Sequence, residues 1–231
     1  MAQPGLHALL AVATRKTFST RRWFALGLAF GSLIPDADLY AQAFAFVARG
    51  MDPATADRLF HRTFTHSLFF ALALWAACYA ASWVRGGDGL RTFGAGLALG
   101  VALLHTAVDV LTWFDGVGVL WPIWEVNLWA GVHVPEVTGK LLGAGNFYAC
   151  AAYLASLGWL ARRAHTRADY LPRLWLYTLV NLALGIVFTA LAFGLPTLAF
   201  LGYGAVAFLG FAYPNALWVT WQMRGVLETD S

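Results

Sequence analysis

Six side chains able to bind a metal ion stand beside or inside strongly apolar segments of this sequence. They are Asp36 and Asp38, His61 and His66, and His105 and Asp109. A charged or unpaired polar group costs several kcal/mol in such surroundings, so we expect these groups to be functional. His105 and Asp109 are four residues apart, which places them on one face of a helix. Imidazoles and carboxylates together predict a site for one or more divalent metal ions, with zinc as the expected metal.

The composition is that of an integral membrane protein, because 60% of the residues are hydrophobic and only 12% are charged. The net charge of +3 is small and the basic residues sit at the ends of apolar runs, so we expect no nucleic-acid partner. Cys78 and Cys150 fall within apolar runs, which predicts packing groups and no disulfide. Residues 6–13 are apolar and precede the first basic cluster, the reverse of the order in a secretion signal.

The predicted fold class is all-α, a multi-pass transmembrane helical bundle with about five to six spanning segments, in a single domain over residues 1–231. The expected spans are 23–47, 64–84, 92–114, 141–161, 174–193 and 195–221. Pro35 breaks the first span, either between two half-helices or as a bend in one helix. Asp52 and Pro53 predict the N-terminus of a short surface helix that ends near Phe60.

Residues 115–140 are rich in tryptophan and contain two prolines, which predicts a loop at the membrane interface. His133 and Glu136 within it would suit a ligand pair if the segment were helical. A solvated loop is the alternative, and Pro135 between them favours it. The three apolar runs within 141–221 contain no Asp, Glu or His, so the predicted chemistry belongs to the earlier part of the chain.

The basic residues predict the topology. If each expected span crosses once, eleven of the 15 Lys and Arg residues share one side of the membrane. The positive-inside rule makes that side cytoplasmic. The metal-binding candidates then lie toward the extracytoplasmic half of the membrane.

Four separated motifs occur in order within about the first 125 residues. They are Gly5-Leu6-His7, the run from Leu33 to Asp38, the run from His61 to Leu68, and the run from Leu99 to Asp109 that leads to Gly118-Val119-Leu120-Trp121-Pro122. This arrangement resembles the YdjM-like membrane-bound metal-dependent hydrolases. It departs from them at Leu39, where members often carry a histidine. The His-x-x-x-Asp pattern also looks, more loosely, like that of the zinc phospholipase C and P1 nuclease superfamily.

The resemblance implies a hydrolase of the bacterial or archaeal inner membrane that cleaves an ester or phosphoester of a lipid or lipid-linked substrate through a metal-activated water. We predict Asp38, His66, His105 and Asp109 as metal ligands. Asp36 and His7 are further ligands or orienting groups, Asp36 is alternatively the general base, His61 is a ligand or an acid, Arg62 pairs with a substrate anion, and Thr65 and Ser67 support the ligands. The alternative function is a non-catalytic metal-binding membrane protein or a transporter.

Overall fold

A computed structural model describes residues 4–228, which are almost entirely helical. The α-helices are α1 Pro4–Thr14, α2 Phe24–Leu33, α3 Asp38–Arg49, α4 Pro53–Phe60, α5 Leu68–Arg85, α6 Gly89–Leu99, α7 Ala107–Thr112, α8 Glu136–Arg163, α9 Leu171–Gly194, α10 Thr197–Ala207, α11 Tyr213–Gln222 and α12 Arg224–Leu227. Two antiparallel strands, β1 Val117–Leu120 and β2 Trp124–Val126, form a small hairpin. The predicted helical bundle is therefore confirmed, and the hairpin is an addition that the sequence did not reveal.

Four helical segments in the described part of the chain are long and apolar enough to cross a membrane. They are Leu68–Arg85, Gly89–Thr112, Leu171–Gly194 and Thr197–Gln222. These match four of the expected spans. The span expected at 141–161 lies inside α8, which is long enough at 28 residues but less apolar because it includes Asn146 and two tyrosines.

The chain divides into two compact units, one formed by Arg15–Val132 and the other by the described residues of Met1–Thr14 and His133–Ser231. In the second unit, α8 packs along α9 and also contacts α1. Gly5 of α1 lies against the backbone of Cys150 on α8, so closely that an added Cβ would meet it at 2.8 Å or less. Cys78 and Cys150 are not joined by a disulfide.

In the unit Arg15–Val132, α2 and α6 pack with their backbones in direct contact. Gly27 and Gly31 on α2 face Gly96 on α6 and Gly100, the residue that follows α6. A Cβ at any of these four positions would collide with the backbone of the facing segment. Each pair has the spacing of three intervening residues that lets two helices approach closely. This contact fixes the segment after α2 against the segment after α6.

Both of those segments depart from α-helix geometry. Ile34–Ala37 is one 3-10 turn that contains Pro35 and joins α2 to α3. Gly100–Thr106 is a π-helix that joins α6 to α7, and a π-turn carries an extra residue that rotates everything after it. The prediction of a break at Pro35 is confirmed in the form of a tightened turn. The π-helix explains how Gly100 and His105 both come to face α2.

The expected span at 64–84 starts later than predicted. Phe64–His66 forms a 3-10 turn, and α5 begins after Ser67, whose hydroxyl accepts a hydrogen bond from the Phe70 amide at 3.1 Å. Ser67 is thus an N-cap, which ends the turn and holds His66 outside the helix. The prediction for α4 is confirmed, because Asp52 accepts from the Thr55 amide at 2.9 Å and Pro53 is its first residue.

Candidate metal centre

Four buried side chains converge within the unit Arg15–Val132, although they come from three separate segments. Asp36 belongs to the 3-10 turn after α2, His66 to the 3-10 turn before α5, His105 to the π-helix and Asp109 to α7. The first three are fully buried and Asp109 is 5% exposed. The close contact between α2 and α6 at their glycines and the N-cap at Ser67 bring these segments together.

The donor atoms of these side chains lie within a few ångströms of one another. The Nε2 atoms of His66 and His105 are 2.9 Å apart. Asp109 Oδ2 is 3.4 Å from the first and 3.6 Å from the second. Asp36 Oδ1 lies 3.8 Å from each Nε2. As their spacing predicts, His105 and Asp109 face the same point.

This set of two nitrogens and two oxygens fits a zinc ion. A tetrahedral zinc with ligand bonds of about 2.0–2.1 Å holds its donor atoms about 3.3–3.4 Å apart. The five distances above scatter around that value, from 2.9 to 3.8 Å. Neither oxygen of Asp36 has a hydrogen-bond donor among the described residues. A buried carboxylate without a donor is costly, and a cation would offset that cost.

The opposite side of each imidazole ring is held by an oxygen atom. His105 Nδ1 is 2.8 Å from the carbonyl oxygen of Ser32. His66 Nδ1 is 3.2 Å from Asp38 Oδ2 and 3.1 Å from the Thr65 hydroxyl. These acceptors leave the Nε2 lone pairs facing the cluster, the usual arrangement of histidines that bind metal.

Asp38 therefore lies on the Nδ1 side of the histidines, where its oxygens already have partners. Oδ1 is 2.7 Å from His61 Nδ1, while Oδ2 accepts from the Thr65 hydroxyl at 2.7 Å and the Arg62 amide at 3.2 Å. The sequence predicted Asp38 as a ligand, and Asp36 as a further ligand, an orienting group or the general base. The geometry favours Asp36 as the ligand and Asp38 as the orienting group, because Asp36 in the 3-10 turn lies 3.8 Å from each Nε2 atom.

His61 is buried next to this cluster. Its ring lies 5.1 Å from that of His66, and its Nε2 has no hydrogen-bond partner among the described residues. Burial and the neighbouring Arg62 charge lower the pKa of His61 to about 4, against the opposing effect of Asp38. Asp36, His61 and His66 also lie close enough together to share an ion. The structure thus leaves open both predicted roles of His61.

Arg62 is buried and has a left-handed backbone, with φ of 55°. Its guanidinium lies 4.1 Å from the centre of the Trp113 ring and 3.5 Å from Asp57 Oδ2. Its carbonyl accepts from the Gly118 amide of β1 at 2.9 Å, so the hairpin is fastened to the loop that carries His61 and His66. The Arg62 side chain is therefore held in place by its neighbours and is not a solvated surface group.

The three remaining candidates belong to the other unit, the described residues of Met1–Thr14 and His133–Ser231. His7 is buried in α1, which belongs to the other unit, and its role as a ligand stays a prediction. His133 is exposed. Glu136 starts α8 and pairs with Lys140 at 2.7 Å, and this bond lowers the pKa of Glu136.

Sequence reasoning missed two supports of the site. The Ser32 carbonyl holds His105, and the Thr106 hydroxyl donates to the His66 carbonyl at 2.7 Å. A bond to a backbone carbonyl cannot be predicted from residue types, whereas Thr106 is adjacent to His105 and could have been recognised from the sequence. The glycines four residues apart in each of the two packed segments predict a close helix contact, and this contact positions Ser32.

Comparison with known proteins finds one matching family. The sequence model described as "YdjM inner membrane protein" matches residues 2–193. No curated protein and no solved structure matches. The match extends well past the first 125 residues that carry the motifs, and it includes every residue of the candidate metal centre.

Proposed function

We propose that this chain, which belongs to the YdjM inner membrane protein family, is a metal-dependent hydrolase that cleaves an ester or phosphoester bond of a lipid or lipid-linked substrate. The observation that carries the proposal is the convergence of Asp36, His66, His105 and Asp109 at distances suited to one divalent ion. Zinc is the metal we expect, since two imidazoles and two carboxylates suit it.

His66, His105 and Asp109 would hold the ion, with Asp36 as a fourth ligand or as the base beside it. The bound ion would supply a Lewis acid and lower the pKa of a water toward about 7, and that water would take the position of Asp36 or a fifth position. Asp36 has a further use. Its Oδ1 faces the imidazoles, and its Oδ2 has no hydrogen-bond donor among the described residues. Oδ2 is therefore able to accept a proton from the attacking water. Burial of the whole cluster excludes bulk water and strengthens each electrostatic contact within it.

Arg62 supports an anionic substrate. The ion pair with Asp57 is long, at 3.5 Å, so the guanidinium retains N–H groups for a phosphate or carboxylate. The ring of Trp121 lies 5.9 Å from that of Phe64, near the same loop, and both side chains are exposed. Exposed aromatic groups beside a buried polar centre suit a substrate with an apolar chain and a charged head group.

The distribution of charge supports an enzyme over a transporter. The candidate spans Leu171–Gly194 and Thr197–Gln222 contain no Asp, Glu or His. A transporter is expected to carry ionisable groups along a path through the bilayer. In the predicted topology, with eleven basic residues on the cytoplasmic side, the site faces the extracytoplasmic side.

The first test is metal content. Protein purified in detergent should contain close to one zinc per chain, and His105→Ala and Asp109→Asn should each lower that content severalfold. His133→Ala is the matched control, because His133 is exposed and belongs to the other unit. Full metal content in both site variants would refute the ligand assignment.

The second test is turnover. A panel of phospholipids and polyprenyl phosphates in mixed micelles, with and without a chelator, should reveal chelator-sensitive hydrolysis. A short-chain soluble phosphoester should be a poor substrate because it lacks the apolar contacts that contribute binding energy to the transition state. Metal-loaded protein that hydrolyses no member of either group would favour the non-catalytic alternative.

A further inference from the structure

Asp38 stands out because one carboxylate serves two histidines. Oδ1 is 2.7 Å from His61 Nδ1 and Oδ2 is 3.2 Å from His66 Nδ1. The side chain is 6% exposed and those of both histidines are fully buried. Bulk water therefore has little access to these bonds. Nothing in the proposed ligand set of Asp36, His66, His105 and Asp109 accounts for this arrangement.

The hydrogen-bond pattern assigns the protons. Thr65 donates its hydroxyl proton to Asp38 Oδ2 at 2.7 Å, so its oxygen is left to accept from His66 Nδ1 at 3.1 Å. The carboxylate can only accept, so His61 must donate from Nδ1 as well. Both rings are then in the tautomer with a proton on Nδ1 and a lone pair on Nε2.

The same contacts leave Asp38 little capacity to bind an ion. Oδ2 already accepts from Thr65 and from the Arg62 amide at 3.2 Å, Oδ1 accepts from His61, and His66 Nδ1 lies 3.2 Å from Oδ2. The Asp36 carboxylate and His61 Nε2, which have no hydrogen-bond partner among the described residues, are separate from these contacts. An ion at Asp38 would have to displace these donors.

We infer that Asp38 is a positioning residue which fixes the tautomers of His61 and His66 together, so that His66 offers Nε2 to the ion and His61 keeps a free Nε2 beside it. This inference rests on the proposed metal centre but not on any substrate. The proposed ligand set does not include His61, whose Nε2 would then be able to accept a hydrogen bond beside the ion. The tautomers of His61 and His66 therefore depend on the same carboxylate, that of Asp38.

The variant Asp38→Asn separates these roles. Its amide keeps one acceptor oxygen but presents an NH₂ group where the second oxygen was, so one of the two histidines must lose its Nδ1 donor bond or change tautomer. Loss of such an orienting partner typically lowers metal affinity about 10- to 100-fold. We expect that loss of zinc affinity in Asp38→Asn, with one zinc per chain still bound at saturation.

If Asp38 had only a structural role, its substitution would not change the tautomer of either histidine. The tautomer is therefore the quantity to measure. Nitrogen NMR of histidine-labelled protein in detergent, with resonances assigned from His61→Ala and His66→Ala, should show Nδ1 protonated in both residues of the wild type. In Asp38→Asn at least one of them should change. Asp57→Asn is the matched control, since the Asp57 side chain hydrogen-bonds to Arg62 and Gln42 and to no histidine ring, and the bond from the His61 amide to the Asp57 backbone carbonyl is kept in the variant.

A milder variant keeps the test informative if Asp38→Asn does not fold. Thr65→Val removes one hydroxyl between Asp38 and His66 and should weaken zinc binding severalfold. His61→Ala should leave zinc affinity within about twofold of the wild type, whereas His66→Ala should lose it. The inference is overturned if His61→Ala weakens binding as much as His66→Ala, or if the wild type has Nε2 protonated in either ring. Absence of hydrolysis alone would count against the proposed function and leave this inference standing.

Discussion

Substitution of Gly31 by alanine should separate the two helices that hold the metal centre. A Cβ added at Gly31 would lie 2.8 Å from the carbonyl carbon of Leu97 and 3.0 Å from its Cα. Carbon atoms in contact are most stable about 3.5–4.0 Å apart. The nearest atom is closer still, the backbone carbonyl oxygen of Leu97, and no flexible side chain is available to yield. The backbones of α2 and α6 would therefore have to move apart by about 1 Å or more.

That movement reaches the site through the next residue. The Ser32 carbonyl accepts the Nδ1 proton of His105 at 2.8 Å, and a shift of this size would stretch the bond beyond an effective length. We expect zinc affinity to fall about 10- to 100-fold, as for loss of an orienting partner. Overpacking of this kind should also cost about 1–3 kcal/mol of stability.

The measurement is a zinc competition titration against a chromogenic chelator in detergent, together with thermal unfolding. Gly145→Ala is the matched control, since Gly145 lies inside α8 and a Cβ there would meet nothing within 4 Å. It should bind zinc as the wild type does. The reasoning fails if folded Gly31→Ala binds zinc within twofold of the wild type, because the close approach of α2 and α6 would then be irrelevant to His105.

Two further predictions concern pH and topology. Burial raises the pKa of Asp57, but the neighbouring Arg62 charge outweighs burial, so the pKa of Asp57 is lowered. The ion pair therefore contributes to stability above about pH 4, the pKa of an Asp in an unfolded chain. This contribution is lost as the pH falls through the lower pKa that Asp57 has in the folded protein. Unfolding of Asp57→Asn in detergent should therefore depend less on pH below about 4 than unfolding of the wild type, and an unchanged dependence would contradict the pairing. Single cysteines at the exposed positions Ala54 and Gly87, in a background without Cys78 and Cys150, should report opposite sides of the membrane to an impermeant thiol reagent in intact cells. Labelling at Gly87 with protection at Ala54 would invert the predicted orientation.

The helices could be predicted from the sequence because their signals are local. Residues 174–193 are mostly apolar and contain no charged residue, and the structure has α9 at Leu171–Gly194. Asp52 and Pro53 marked the start of α4 through capping chemistry that depends on adjacent residues only. The start of α5 was misplaced because residues 64–84 contain no Asp, Glu, Lys or Arg, and hydropathy cannot distinguish a 3-10 turn from the first turn of a helix.

The residues of the metal centre were predictable by type, whereas their roles were not. Asp36 and Asp38 stand two apart beside Pro35, and nothing in that order tells which carboxylate points toward the histidines. The 3-10 turn decides it, because a turn of about three residues rotates side chains further per residue than an α-helix does. The π-helix at Gly100–Thr106 likewise has no signal in composition, although it determines which face of the segment His105 occupies.

The glycines explain why such irregular turns persist at the site. Gly27 and Gly31 meet the backbone of α6, while Gly100 meets that of α2, so neither helix can slide or rotate without a collision or a void. A regular α-helix through Gly100–Thr106 would turn His105 away from Ser32 and leave its Nδ1 without the carbonyl it now bonds. Close packing of the glycines and the hydrogen bond of His105 therefore select the same backbone. The metal centre is built where the two requirements coincide, at the end of the α2–α6 contact.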